Sequence, residues 1–104
     1  MKYLKTFENI ENVPQVGDWI IAKDAFDIDI VNDYLNNNIG LVYKKTYSNN
    51  DQYVKYFNIP TEIKHYFKDG DNNDTMFISK KEIFAFSSNK KELESILAAK
   101  KYNL

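Results

Sequence analysis

Val16-Gly17-Asp18-Trp19-Ile20-Ile21-Ala22-Lys23 is the stretch whose reading decides the fold. A loop glycine opens it and a run of β-forming residues follows, which predicts a short strand over Asp18 to Lys23. Trp19 and Ile21 alternate with Ile20 and Ala22, so successive side chains give the strand two apolar faces. Both faces then need cover, one from the core of its own sheet and the other from a helix. The pattern is echoed at Ile39-Gly40-Leu41-Val42-Tyr43 and Gln52-Tyr53-Val54-Lys55-Tyr56-Phe57. The spacing is too short for helical crossovers between parallel strands, so the chain predicts one small, strongly bent antiparallel barrel.

Working outward, Tyr3, Leu4, Phe7 and Ile10 share one stripe of a short helix, which the stretch from Asn9 to Gly17 ends with Pro14. After the first strand, Asp24 is an N-cap candidate and Asp27 an acidic residue three positions on. Phe26, Ile30, Val31, Tyr34 and Leu35 follow at helical spacing, predicting a helix over 25–36 that Asn36-Asn37-Asn38 and Gly40 stop. Strands over Ile39 to Tyr47 and Gln52 to Phe57, joined by Ser48-Asn49-Asn50-Asp51, make a hairpin. Pro60 breaks the pattern, Thr61 to Phe67 reads as a helical turn, and Lys68 to Asp74 reads as a polar loop. A fourth strand over Thr75 to Ile78, a capped 3₁₀ turn at Ser79-Lys80-Lys81-Glu82 and a fifth strand over Ile83 to Phe86 follow. A last helix over about 89–101, capped by Ser88 or Asn89, carries the stripe Leu93, Ile96 and Leu97.

These elements describe a mainly β, α+β fold in a single domain spanning 1–104: a five-stranded antiparallel small barrel over about 16–87, with an inserted helix and a C-terminal helix. The order strand, long connection, hairpin, strand, 3₁₀ turn, strand resembles the SH3-like barrel of the Src-homology-3, Tudor and KOW type. The residues that carry the resemblance are Gly17-Asp18-Trp19-Ile20, Gly40-Leu41-Val42, Tyr53 to Phe57 and Ser79 to Ile83. Barrels of this kind host many unrelated functions, so the scaffold does not name the activity. A second resemblance lies in the opening Met1-Lys2-Tyr3-Leu4-Lys5-Thr6-Phe7-Glu8 and the richness in Asn, Lys, Ile and Tyr. In both, the chain is similar to small bacteriophage-encoded accessory proteins, many of which inhibit host enzymes or defence systems.

Composition narrows the chemistry. The 104 residues contain no cysteine, which excludes disulfides, thiol catalysis and cysteine-ligated metal centres. Lysine supplies all 14 basic residues against 15 acids, for a formal charge of −1. A protein built to grip phosphate backbones would carry a basic excess and arginine, whose planar fork reads phosphates and bases. The absence of a long apolar run and of a signal-like N-terminus predicts a cytoplasmic protein, host-cytoplasmic if phage-encoded, with no membrane contact.

His65 is the one histidine. It could serve as a base with Asp69 or Glu62, yet no spacing ties them together, and it reads as a surface side chain. Asp69, Asp71, Asn73 and Thr75 imitate the alternating ligands of a calcium loop, but the glycine and glutamate such a loop needs are replaced by Asp74 and Lys80. No catalytic residue, metal site or cofactor is therefore expected. Aromatic content is the stronger lead, with eight Tyr, seven Phe and one Trp. If Val42, Val54 and Tyr56 face inward, alternation sends Tyr43, Tyr53, Lys55 and Phe57 outward, with Tyr47 near the hairpin tip. Added helices could cover some of them.

The expected function is a non-enzymatic binding protein, an inhibitor or modulator acting stoichiometrically on a host protein or ribonucleoprotein complex. On the phage resemblance that partner would belong to a defence system, which makes the chain an anti-defence protein, including the anti-CRISPR kind directed at a nuclease complex. The partner-binding residues expected are Tyr43, Tyr47, Tyr53, Lys55 and Phe57, joined by Asp24 and Asp27 from the acidic helix start. The alternative is a small barrel that stacks single-stranded RNA or DNA on Tyr43, Tyr47 and Tyr53.

Overall fold

The first strand, β1 (Trp19–Ala22), is covered on both sides, and the rest of the fold is arranged around it. The computed structural model describes residues 13–47, 50–69 and 72–102; the helix expected over Tyr3 to Ile10 lies outside them. After β1 come α1 (Asp29–Asn36), the hairpin β2 (Gly40–Lys45) and β3 (Asp51–Lys55), and a 3₁₀ helix (Thr61–Tyr66). A two-residue ribbon of β4 (Lys68–Asp69) and β5 (Asn72–Asn73) stands where a polar loop is expected. Then follow β6 (Thr75–Ser79), a 3₁₀ turn (Lys80–Glu82), β7 (Ile83–Ser87) and α2 (Lys90–Tyr102).

The main sheet is antiparallel with the order β6-β3-β2-β1-β7. β7 therefore returns to pair with β1, Ile20 opposite Phe86 and Ile21 opposite Ala85. The result is an α+β fold with a five-stranded sheet, compatible with the SH3-like arrangement. One expectation is corrected: the sheet is not closed into a barrel, since β6 and β7 remain its two edges. The physical reason is that the inner face is already covered. Val31 and Leu35 of α1, Ile63 of the 3₁₀ helix, and Phe67 pack against Ile20, Val42, Val54 and Ile78, leaving closure little apolar surface to bury.

The opposite, outer face of β1 and β7 carries Ile21 and Ala85, and α2 seals it with Leu93, flanked by Ile96 and Leu97. The stripe read in the sequence is thus the docking face of that helix. Asn89 makes its N-cap, its Oδ1 accepting from the Lys91 N–H at 3.0 Å, while Ser87 Oγ bonds Glu92 and so ties β7 to the first turn. The 3₁₀ turn between β6 and β7 has the expected acidic partner, Glu82 Oε1 accepting from the Ser79 N–H at 2.9 Å.

The start of α1 differs from expectation. Asp24 does not cap the helix: it has φ 50, a left-handed conformation that aspartate tolerates, and the helix begins five residues later at Asp29. The intervening loop is held instead by apolar contact, since Ala25, Phe26 and Ile28 pack on the inner core, and by Asn32 Oδ1 accepting from the Ala25 N–H. Asparagines end the helix, Asn37 Nδ2 donating to Asp33 O and Asn38 Nδ2 to Tyr34 O, both at 2.8 Å.

Candidate functional site on the outer face of the sheet

Alternation along β3 divides its side chains between the two faces. Gln52, Val54 and Tyr56 are buried on the inner side, while Tyr53 is half-buried and Lys55 and Phe57 are exposed on the outer side. Antiparallel register then builds an aromatic row across three strands. Tyr53 lies opposite Phe77 of β6, with ring centroids 5.5 Å apart and planes at 66°. On its other side the Tyr43 ring of β2 is 6.4 Å away at 53°. The register of β2 shifts between Val42 and Lys44, and the lysine that then faces Tyr53 places Nζ 5.9 Å from the ring centroid. Such tilted, edge-on pairs each contribute on the order of 1 kcal/mol beyond the area they bury.

The row continues at both ends. Tyr47, past the end of β2, is wholly exposed, and with Tyr53, Lys44, Lys45 and Thr46 it lines a cleft of about 430 Å³. Phe57, past the end of β3, is 44% exposed and reaches Trp19 at 6.4 Å between centroids. Trp19 in turn lies under Lys90 Nζ at 5.0 Å, which joins this surface to the base of α2. Of the residues expected from the sequence, Tyr43, Tyr47, Tyr53, Lys55 and Phe57 are therefore placed along one side of the sheet. Phe77 was not expected there. The signal was present, since Phe77 falls between Met76 and Ile78, both buried.

Asp24 and Asp27 are elsewhere. Both are exposed, on a loop whose apolar residues pack against the inner core, so the sheet separates them from the tyrosines.

Two polar links stiffen the hairpin beneath the row. Lys45 Nζ donates to Pro14 O at 2.7 Å and to Gln52 Oε1 at 3.0 Å, and the buried Gln52 passes its own amide to Ile78 O at 2.6 Å. Burial holds the Lys45 ammonium below its ordinary pKa, with Asp51 and Asp18 pulling the other way. Tyr34 donates to Phe57 O at 2.8 Å, and burial with the Asp74 charge pushes its hydroxyl up to about 12.

His65 is exposed, its ring 4.1 Å from that of Tyr66. It lines a separate cavity, together with Asp74 among the described residues. Among the described residues, no group of three or more His, Asp or Glu side chains has the geometry to hold a metal ion, and no helix is long and apolar enough to cross a membrane. Comparison with known proteins finds no matching family model, and no curated protein or solved structure with significant similarity to the chain.

Proposed function

We propose that this protein is a non-enzymatic binding protein that docks the outer face of its sheet on a protein partner presenting apolar side chains beside carboxylates. The observation that carries the reading is the aromatic row Tyr43, Tyr53 and Phe77, extended by the exposed Tyr47 and Phe57. Tyrosine and phenylalanine bring large contact area at low entropic cost, which suits an interface anchor. Lys44 and Lys55 flank the row and complement acidic groups on the partner.

Ring orientation favours protein over single-stranded nucleic acid. Base stacking needs flat ring faces turned to solvent. Within the row Tyr53 meets Phe77 edge-on and Tyr43 at a tilt, and the Lys44 ammonium stands over Tyr53, which leaves Tyr47 as the ring open to a base. The strand order, with β7 beside β1 and a 3₁₀ turn before it, supports an open relative of the SH3-like barrel as the scaffold. On the phage-like composition, the proposed partner is a host protein of a defence complex, held stoichiometrically.

The test is capture from a bacterial host lysate by wild-type protein, Tyr47→Ala and Phe57→Ala, with identical thermal unfolding confirmed for all three. Partner recovery should fall in both variants and survive nuclease treatment and elevated salt. Recovery unchanged by both substitutions refutes the interface. Recovery lost on nuclease treatment moves the reading to nucleic acid, whose binding weakens steeply with salt.

A further inference from the structure

A second site lies away from the aromatic row, between the 3₁₀ helix and the β4–β5 ribbon. It is a cavity of about 450 Å³ lined by Thr61, Lys64, His65, Lys68, Asn73 and Asp74, with Phe67 beneath. That volume falls within the range of small-molecule sites. Asp74 is its fixed point. The residue has φ 65, its N–H donates to Phe67 O at 2.7 Å, and its carbonyl accepts from the Tyr56 N–H at 2.8 Å. The backbone thus holds the carboxylate in place in a conformation few non-glycine residues adopt.

Asp74 Oδ1 is buried yet accepts no hydrogen bond from any described residue. The Lys64 ammonium is 3.8 Å away, beyond hydrogen-bond reach. The Asp74 side chain as a whole is 32% exposed and lines the cavity, so its carboxylate is open to a ligand there although Oδ1 itself is covered. Around it the described lining carries the ammonium groups of Lys64 and Lys68 and the carboxylate of Asp74. The cavity therefore offers a carboxylate that can accept from a ligand hydroxyl and, beside it, ammonium groups and a hydroxyl suited to an anion.

We propose that this cavity binds a small phosphate monoester bearing hydroxyl groups. Lys64, Lys68 and the Thr61 hydroxyl hold the phosphate, and a ligand hydroxyl donates to the exposed side of the Asp74 carboxylate. A sugar phosphate and a nucleotide share this chemistry. The site is independent of the protein-binding face and needs no covalent step.

The experiment is an amide NMR titration of the full chain with ribose 5-phosphate, adenosine 5′-monophosphate and inorganic phosphate. Ribose 5-phosphate should shift the amides of residues 61–68 and 73–74 saturably, roughly tenfold more tightly than inorganic phosphate, the worth of one charge-assisted hydrogen bond. Tighter binding of adenosine monophosphate than of ribose 5-phosphate identifies a nucleotide; equal binding identifies the sugar phosphate as sufficient. Asp74→Gly suits the left-handed backbone, so it should fold and should erase the preference over inorganic phosphate. Lys64→Gln with Lys68→Gln should abolish binding of all three. Absence of saturable shifts, equal affinity for inorganic phosphate, or a preference that survives Asp74→Gly overturns the proposal.

Discussion

Gly40→Ala tests how tightly the inner core is packed around the hairpin. A methyl at residue 40 would lie 2.3 Å from Val54 Cγ1 and 2.7 and 2.9 Å from Tyr56 Cζ and Cε2. Neither neighbour has room to retreat. Val54 is fully buried, and the Tyr56 ring is wedged between Tyr34 and Phe67 at 5.9 and 5.7 Å. Gly40 also pairs with Ile20, so a backbone shift that relieves the clash displaces β1. Overpacking of this kind costs about 1–3 kcal/mol. For a domain near 100 residues that lowers Tm by roughly 5–20 °C. Thermal and urea unfolding followed by circular dichroism measures it directly. The Gly40→Ala, Val54→Ala double variant should lose less than the sum of its single changes, because the new methyl occupies space that Val54 vacates. A single variant within about 2 °C of wild type, or strict additivity in the double, refutes the packing.

Three further outcomes follow from the core and its buried hydroxyls. Leu93→Ala removes the fully buried anchor of α2 and should cost about 2–5 kcal/mol in urea unfolding, whereas a loss under about 1 kcal/mol would show that the helix does not seal the outer face of β1 and β7. The Tyr56 hydroxyl is buried without a hydrogen-bond partner among the described residues. Tyr56→Phe should therefore be neutral or stabilising by about 1 kcal/mol, and a comparable destabilisation would reveal a partner. At high pH, burial and the Asp74 charge hold the Tyr34 proton up to about 12, and burial with Tyr34 raises Tyr56 as well. Unfolded tyrosines ionise near 10, so above that pH the folded chain holds more protons and stability falls through the window from 10 to 12. Urea midpoints across it should decline, less steeply in Tyr34→Phe; a flat profile contradicts the burial of both rings.

Much of this protein could be read locally. Alternation in Trp19 to Ala22 and in Gln52 to Phe57 determined which side chains share a face, because a strand turns successive side chains to opposite sides whatever surrounds it. Asparagine, glycine and serine marked the C-terminal end of α1, the hairpin and the 3₁₀ turn, since their preferences act within a few residues. What lies over each face was decided by packing between segments far apart in sequence. Tertiary structure left β6 and β7 as open edges, sent α2 over β1 and β7, and brought Phe77 beside Tyr53. It also drew the Asp24 loop onto the inner core, overriding its local promise as a cap, and set Asp74 among the lysines of a cavity. A side chain's face is a property of its own backbone, but its cover, and hence what remains for a partner to touch, depends on where the rest of the chain settles.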